Sequence, residues 1–187
     1  SIDHEIYKST QGNEFEISID KKNSKLDKIG ERAFYGLTKI ESDLTFMGYV
    51  RENGDVGIRN EIWIIPTVGC VNKIAKALAD KTGAHQFEHP FGCSQLGDDQ
   101  TTTQQILRGM VNHPNAAGVL VLGLGCENNN IDVFKKVLGD YNPDRVKFLN
   151  TQDADDDIEA GVALINELKE YAARFERVPV PVSKLRI

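Results

Sequence analysis

Four apolar runs, each followed by a stretch with helical spacing, alternate along the middle of this chain. Ile62 to Val68, Gln86 to Phe91, Ala117 to Leu124 and Val146 to Asn150 read as strands. Between and after them, Ile74, Ala75, Leu78 and Ala79, then Ile106, Leu107 and Met110, then Ile131, Val133, Phe134, Val137 and Leu138 recur at helical spacing, and a long last helix is predicted from about Asp155 to Phe175. Such alternation admits few topologies. Right-handed crossovers set the strands parallel and place helices on both faces of the sheet. The predicted fold is therefore α/β, a doubly wound and mainly parallel sheet in a Rossmann-like or flavodoxin-like three-layer sandwich. Ile62 to Val68 is apolar on both faces, as a central parallel strand requires.

Capping and turn residues sharpen the boundaries. Asn72 is placed to cap the first helix and Gly83 to end it. The second helix starts around Asp98 and Asp99 and stops before Pro114, and Asn128 to Asn130 open the third. Asn53-Gly54, between two extended runs, predicts a hairpin ahead of the first strand. The run Asp153-Ala154-Asp155-Asp156-Asp157 looks like a metal site only superficially and reads as solvated charge at a helix N-terminus. Residues 1–45 are polar and read as a linker or the remnant of a preceding module, with one short edge strand within Glu14 to Ile19. Residues 46–177 form the α/β domain. Residues 178–187, with Pro179 and Pro181, read as an exit linker. A chain that opens at Ser1 without methionine is expected to be a piece of a longer protein.

All three cysteines follow a glycine near the end of an apolar run: Gly69-Cys70, Gly92-Cys93 and Gly125-Cys126. Glycine allows a sharp turn there, which presents the cysteine at the strand's mouth. The carboxyl ends of parallel strands are where open α/β sheets bind ligands, so the three pairs are expected to converge on one site. Any single pair is explained by packing. Three repeats at one topological position favour metal ligation, with Cys70, Cys93 and Cys126 as the thiolate donors to iron, zinc or an iron-sulfur cluster. Amide or carboxylate residues follow each pair, namely Asn72, Gln95 and Glu127-Asn128. The amides Asn72, Gln95 and Asn128 are candidate substrate-binding residues, and Glu127 a candidate for acid-base work.

His89, four residues before Cys93, is either a general base, a metal ligand or a partly exposed turn residue. Arg59 is a candidate carboxylate clamp, with a surface ion pair as the alternative. The remaining composition narrows the partners. With a net charge of -6 and no Lys/Arg block, nucleic acid is not expected. No apolar run approaches the roughly 20 residues of a membrane span, and no signal sequence opens the chain, so a cytoplasmic location is expected. An odd cysteine count fits reduced thiols or a metal better than a disulfide framework.

Several long motifs then carry a resemblance. Gly57-Ile58-Arg59-Asn60-Glu61, Trp63 to Asn72, His89-Pro90-Phe91-Gly92-Cys93-Ser94-Gln95-Leu96-Gly97-Asp98-Asp99, His113-Pro114-Asn115 and Gly123-Leu124-Gly125-Cys126-Glu127-Asn128-Asn129 resemble, in order, the altronate and galactarate dehydratase family over roughly residues 47 to 177. The resemblance implies a hydro-lyase acting on a sugar acid, removing water from D-altronate to give 2-keto-3-deoxy-D-gluconate in hexuronate catabolism, with ferrous iron as activator and an iron-sulfur cluster as the alternative. A related aldarate such as galactarate is the neighbouring substrate. Family members carry further regions before and after this one, so the fragment is expected to lack activity alone, and a homo-oligomer is an admissible assembly. Two other readings compete: a non-catalytic α/β domain completing another region's site, and a thiol redox module, which the absence of paired cysteines disfavours.

Overall fold

A computed structural model describes residues 7–8, 14–15 and 44–185. The chain divides into two units, one of Ser1–Thr45 with Pro181–Ser183 and one of Phe46–Val180 with Lys184–Ile187. In the first unit β1 (Tyr7–Lys8) and β2 (Glu14–Phe15) pair antiparallel, Tyr7 opposite Phe15. The edge strand expected over Glu14 to Ile19 is described only for those first two residues.

The second unit is the α/β domain. Its elements are β3 (Thr45–Val50), β4 (Val56–Gly57), β5 (Glu61–Pro66), α1 (Asn72–Thr82), β6 (His85–Gln86), α2 (Gly97–Val111), β7 (Ala116–Gly123), α3 (Ile131–Leu138), β8 (Val146–Asn150), α4 (Asp157–Ala172) and β9 (Arg177–Pro181). Four strands form a parallel sheet in the order β6-β5-β7-β8. The alternation rule thus holds, and the doubly wound α/β reading is what the chain adopts. Side-chain parity explains the layers. On one face Ile62 and Ile64 of β5 and Leu120 and Leu122 of β7 pack with Ala75 and Leu78 of α1 and Ile165 and Leu168 of α4. On the other, Trp63, Ile65, Val119 and Val121 pack with Leu107 and Val111 of α2 and Phe134 and Leu138 of α3. A register shift opposite Glu61 and Ile62 lets Ala117 and Gly118 both face the α4 side before alternation resumes.

Local signals set the ends. Gly83, with φ 74, closes α1, Asn130 accepts the Val133 N–H to open α3, and Asp156 accepts the Glu159 N–H to open α4, so the aspartate run serves as a helix cap. Three expectations change. The strand over Gln86 to Phe91 shrinks to His85–Gln86, because Pro90 has no N–H for a ladder and the loop turns back over β5. Ile106 lies on the outer face of α2, while Leu107 is buried. The exit linker begins as strand β9, which lies at the edge of a three-stranded sheet in the order β4-β3-β9, where Pro179 and Pro181 are tolerated.

The Asn53-Gly54 hairpin forms as expected, β3 antiparallel to β4. Arg51 ties it to the amino edge of the parallel sheet, donating to Pro114 O, Asn60 Oδ1 and Arg59 O at 2.8, 2.8 and 2.9 Å. Burial, and then the charge of Arg145, bring the Arg51 pKa down to about 10. No helix among the described residues is long and apolar enough to cross a membrane.

Candidate active site

β5, β6 and β7 run parallel and deliver their carboxyl ends to one edge, and the three Gly-Cys pairs follow those strands. The loops after β5 and β6 interlock main chain to main chain. Gly69 N–H donates to Phe91 O at 2.8 Å, and a Cβ on Gly69 would stand 2.6 Å from His89 O. Gly92 has φ 100, and a Cβ there would collide with Thr67 O and stand 2.9 Å from Val68 Cα. Only glycine fits these two positions, by close approach in one and by approach and conformation in the other. Each glycine therefore serves the convergence of loops. All three cysteines are exposed with free thiols, as the strand-mouth reading predicts.

Beneath this floor runs a chain of buried polar side chains. Gln104 Nε2 donates to Asn129 Oδ1 (3.0 Å), Asn129 Nδ2 to Thr67 O (3.3 Å), and Thr67 Oγ1 to Glu127 Oε1 (2.7 Å). Glu127 also accepts the Leu124 N–H at 3.0 Å and the Gly125 N–H at 2.6 Å. Burial works to raise its pKa, but the bonds from Thr67 and from backbone N–H groups outweigh it and hold the carboxyl below its ordinary value. A carboxylate only 4% exposed and kept ionised by four donors is built to hold a loop. In this arrangement Glu127 is a poor proton carrier.

The other expected residues divide. Gln95 and Asn128 come together, Asn128 Nδ2 donating to Gln95 O at 3.1 Å while Gln95 Oε1 accepts the Gly92 N–H at 3.1 Å. Asn72 also reaches this edge, though not as the cap. It begins α1 and its Nδ2 donates to His89 O at 3.0 Å, leaving Oδ1 buried without a hydrogen-bond partner among the described residues. The Asn150 Oδ1 at the end of β8 is likewise unpartnered. His89 is close to the site but fully engaged. Its Nε2 lies 2.8 Å from Pro66 O, which can only accept, so Nε2 carries the proton and Nδ1 accepts the Phe91 N–H at 3.2 Å. As arranged, neither nitrogen is open to a substrate or a metal.

Arg59 is placed elsewhere. It precedes β5, pairs with Glu61 at 3.1 Å, and is separated from Thr67 by the length of the strand, about 20 Å at about 3.3 Å per residue. A carboxylate at the cysteine edge is out of its reach within this chain. Sequence reasoning missed Thr67, Gln104, Asn129 and Asn150. It selected Asn128 from the run Asn128-Asn129-Asn130, whereas Asn129 is the buried one. It also passed over Lys73, exposed in the first turn of α1 three residues after Cys70.

Soft thiols suit iron. Among the described residues, however, no group of three or more His, Cys, Asp or Glu side chains is placed to hold a metal ion. The thiols as arranged do not make the three-ligand set that their repetition suggested. What the edge does offer is a rim of amides, a hydroxyl at Ser94 and exposed thiols, above a main-chain floor.

Residues 48–173 match the family model described as D-galactarate dehydratase/altronate hydrolase, second domain. Altronate dehydratase of Bacillus subtilis (strain 168) is 51% identical over 154 residues, which cover 76% of this chain and 31% of that protein. Altronate dehydratase of Escherichia coli (strain K12) is 44% identical over 164 residues, covering 82% and 33%. The (2R)-sulfolactate sulfo-lyase subunit beta of Chromohalobacter salexigens is 33% identical over 149 residues, covering 75% and 36%. The chain thus spans about a third of the length of the curated relatives it matches. No solved structure matches it.

Proposed function

Because the chain belongs to the D-galactarate dehydratase/altronate hydrolase family, whose second domain it carries, we propose that it forms part of a hydro-lyase that dehydrates a sugar acid, D-altronate in the first place. The observation that carries this reading is the identity of 51% and 44% to two altronate dehydratases over most of the chain. The cysteine edge supports it, since amides and hydroxyls on a rigid floor suit a polyhydroxylated ligand.

In the reaction the C2–H and C3–OH bonds of the acid break, water leaves, and the resulting enol becomes a 2-keto acid. The roles proposed for this chain are binding and orientation. Gln95 and Asn128, at the rim, hold hydroxyl groups, while Asn72, whose Nδ2 donates to His89 O, positions the loop that carries Gln95. Lys73 replaces Arg59 as the grip on the carboxylate. Glu127 fixes the Gly125-Cys126 turn. With His89 and Glu127 both committed to the backbone, removal of the C2 proton falls to a group outside the described residues or to an exposed thiol. Iron, as a ferrous ion or a cluster, would draw on ligands beyond those gathered here, and no step is assigned to it.

The test is to incubate the complete enzyme separately with D-altronate, D-galactarate and (2R)-sulfolactate and to measure 2-keto acid and sulfite. The reading expects 2-keto-3-deoxy-D-gluconate from altronate at the highest kcat/KM. Preference for galactarate moves the assignment to the aldarate branch, and sulfite release without dehydration overturns it.

A further inference from the structure

β8 is the edge strand that this chain leaves undefended. Among the edge strands described, β1, β2, β4 and β6 have two residues each and β9 carries Pro179 and Pro181, whereas β8 runs five residues without proline. Short strands, prolines and unpaired lysines are what blunt an edge. The lysine of β8 is already engaged, since Lys147 Nζ pairs with Glu167 on α4 at 2.9 Å.

The ladder decides which main-chain groups of β8 remain. Val119 N–H donates to Arg145 O at 2.8 Å, and a parallel ladder then takes alternate residues, so Arg145, Lys147 and Leu149 bond to β7 while Val146, Phe148 and Asn150 turn outward. Two of the outward groups are used. Val146 N–H donates to Asn142 O at 2.9 Å, and the Asn150 C=O turns into the 3-10 turn Thr151–Asp153, of which Asn150 is the N-cap. Among the described residues nothing meets Val146 C=O, Phe148 N–H, Phe148 C=O or Asn150 N–H.

That set is its own complement in partial charge. With a second β8 laid antiparallel about a two-fold axis at Phe148, the two Phe148 residues exchange both bonds and each Asn150 N–H meets the partner's Val146 C=O. The used groups fall opposite each other as well, Val146 N–H against the partner's Asn150 C=O, so no group is stranded. An ordinary strand on this edge would strand one at each end. Side chains agree, because Lys147 stands opposite the partner's Leu149 and no like charges oppose across the seam. We propose that β8 is a dimerisation edge whose partner is the β8 of a second copy of this chain, joining two four-stranded sheets into one of eight strands. The joined sheets run in opposite senses, so the two cysteine edges lie at opposite edges of the continuous sheet. This pairing does not depend on which acid the enzyme takes.

Asn150→Pro and Asn150→Ala separate the outward N–H from the side chain. Both remove the carboxamide, but only proline removes the donor, and Asn150 has a φ of -86, near the proline range, with no ladder bond to β7 at stake. By light scattering the complete enzyme and its alanine variant should have twice the mass of the proline variant, in which the Phe148 amide should exchange hydrogen at least about tenfold faster. The unmodified enzyme gives a second measurement that needs no variant to fold: the Phe148 and Asn150 amides should be protected when concentrated and lose protection in step with mass on dilution. Equal masses for the two variants, or exchange of both amides at the unfolded rate in the concentrated enzyme, would overturn the proposal. Protection that persists in a monomer would assign the edge to another segment of the same polypeptide and overturn it equally.

Discussion

Thr67 and Glu127, sixty residues apart, share a buried hydrogen bond of 2.7 Å that joins the end of β5 to the loop after β7. Thr67 also donates its N–H to Leu122 O, so one residue closes the ladder and anchors the carboxylate. Replacing the hydroxyl with a methyl group leaves a buried charged acceptor short of one donor. Thr67→Val should cost about 1–3 kcal/mol in urea unfolding, and an unchanged midpoint would show that the carboxylate finds another partner.

Two glycines should respond with opposite signs. Gly92→Ala introduces a Cβ against Thr67 O at a φ of 100 and should destabilise by about 2–4 kcal/mol. Gly109→Ala meets open space and should stabilise the domain by up to about 1 kcal/mol. Thermal melts of the two variants give the comparison, and loss of stability in both would mean that α2 is not free along this face.

Glu61 offers a pH readout at the amino edge, away from the candidate site. Burial works to raise its pKa, but the Trp63 indole N–H at 2.8 Å, the Arg59 guanidinium and the charge of His85 prevail and hold it below the ordinary carboxylate value. Because the folded pKa lies below the unfolded one, its contribution is present above the ordinary carboxylate range. It is lost as pH falls through the folded pKa. Trp63 is the single tryptophan, so its emission should shift in that acid window and Glu61→Gln should abolish the transition. An emission change that persists in the variant would assign it to another carboxylate.

The cation proposed for the substrate carboxylate can be separated from the one first expected. In the complete enzyme Lys73→Met should raise KM for altronate about tenfold with a smaller effect on kcat, whereas Arg59→Met should leave KM within about twofold. The reverse pattern would return the clamp to Arg59 and require another subunit to bring it to the site.

All three cysteines are exposed, so under anaerobic native conditions each should react with a thiol reagent. Ferrous iron added to the complete enzyme should slow the reaction at those thiols that ligate it. Full reactivity of all three in the iron-loaded enzyme would exclude them as ligands.

The fold was legible because β/α alternation is a local pattern, and local caps such as Gly83 and Asn130 marked ends that the structure keeps. The direction of β5 was legible too, and it already placed Arg59 on the amino edge, opposite Cys70. What could not be read locally was pairing across distance. The Thr67–Glu127 bond spans sixty residues, and nothing in Glu127-Asn128-Asn129 distinguishes the asparagine that reaches Thr67 from the one that reaches Gln95. The partner of His89 was hidden for the same reason, since Pro66 lies 23 residues away at the end of β5. Ile106 kept helical spacing but sits beside the core-facing Leu107, where a single-residue rotation separates core from surface.

The interlocked glycines Gly69 and Gly92 imply a division between what can and cannot vary over evolutionary time. A floor made of main chain has no side chains to exchange, so its shape is inherited whole or lost with the fold. The rim above it includes Ser94 and Asn128, exposed side chains that make no hydrogen bond to either glycine. A lineage can therefore acquire a taste for a different ligand through a few rim substitutions while its architecture stands still.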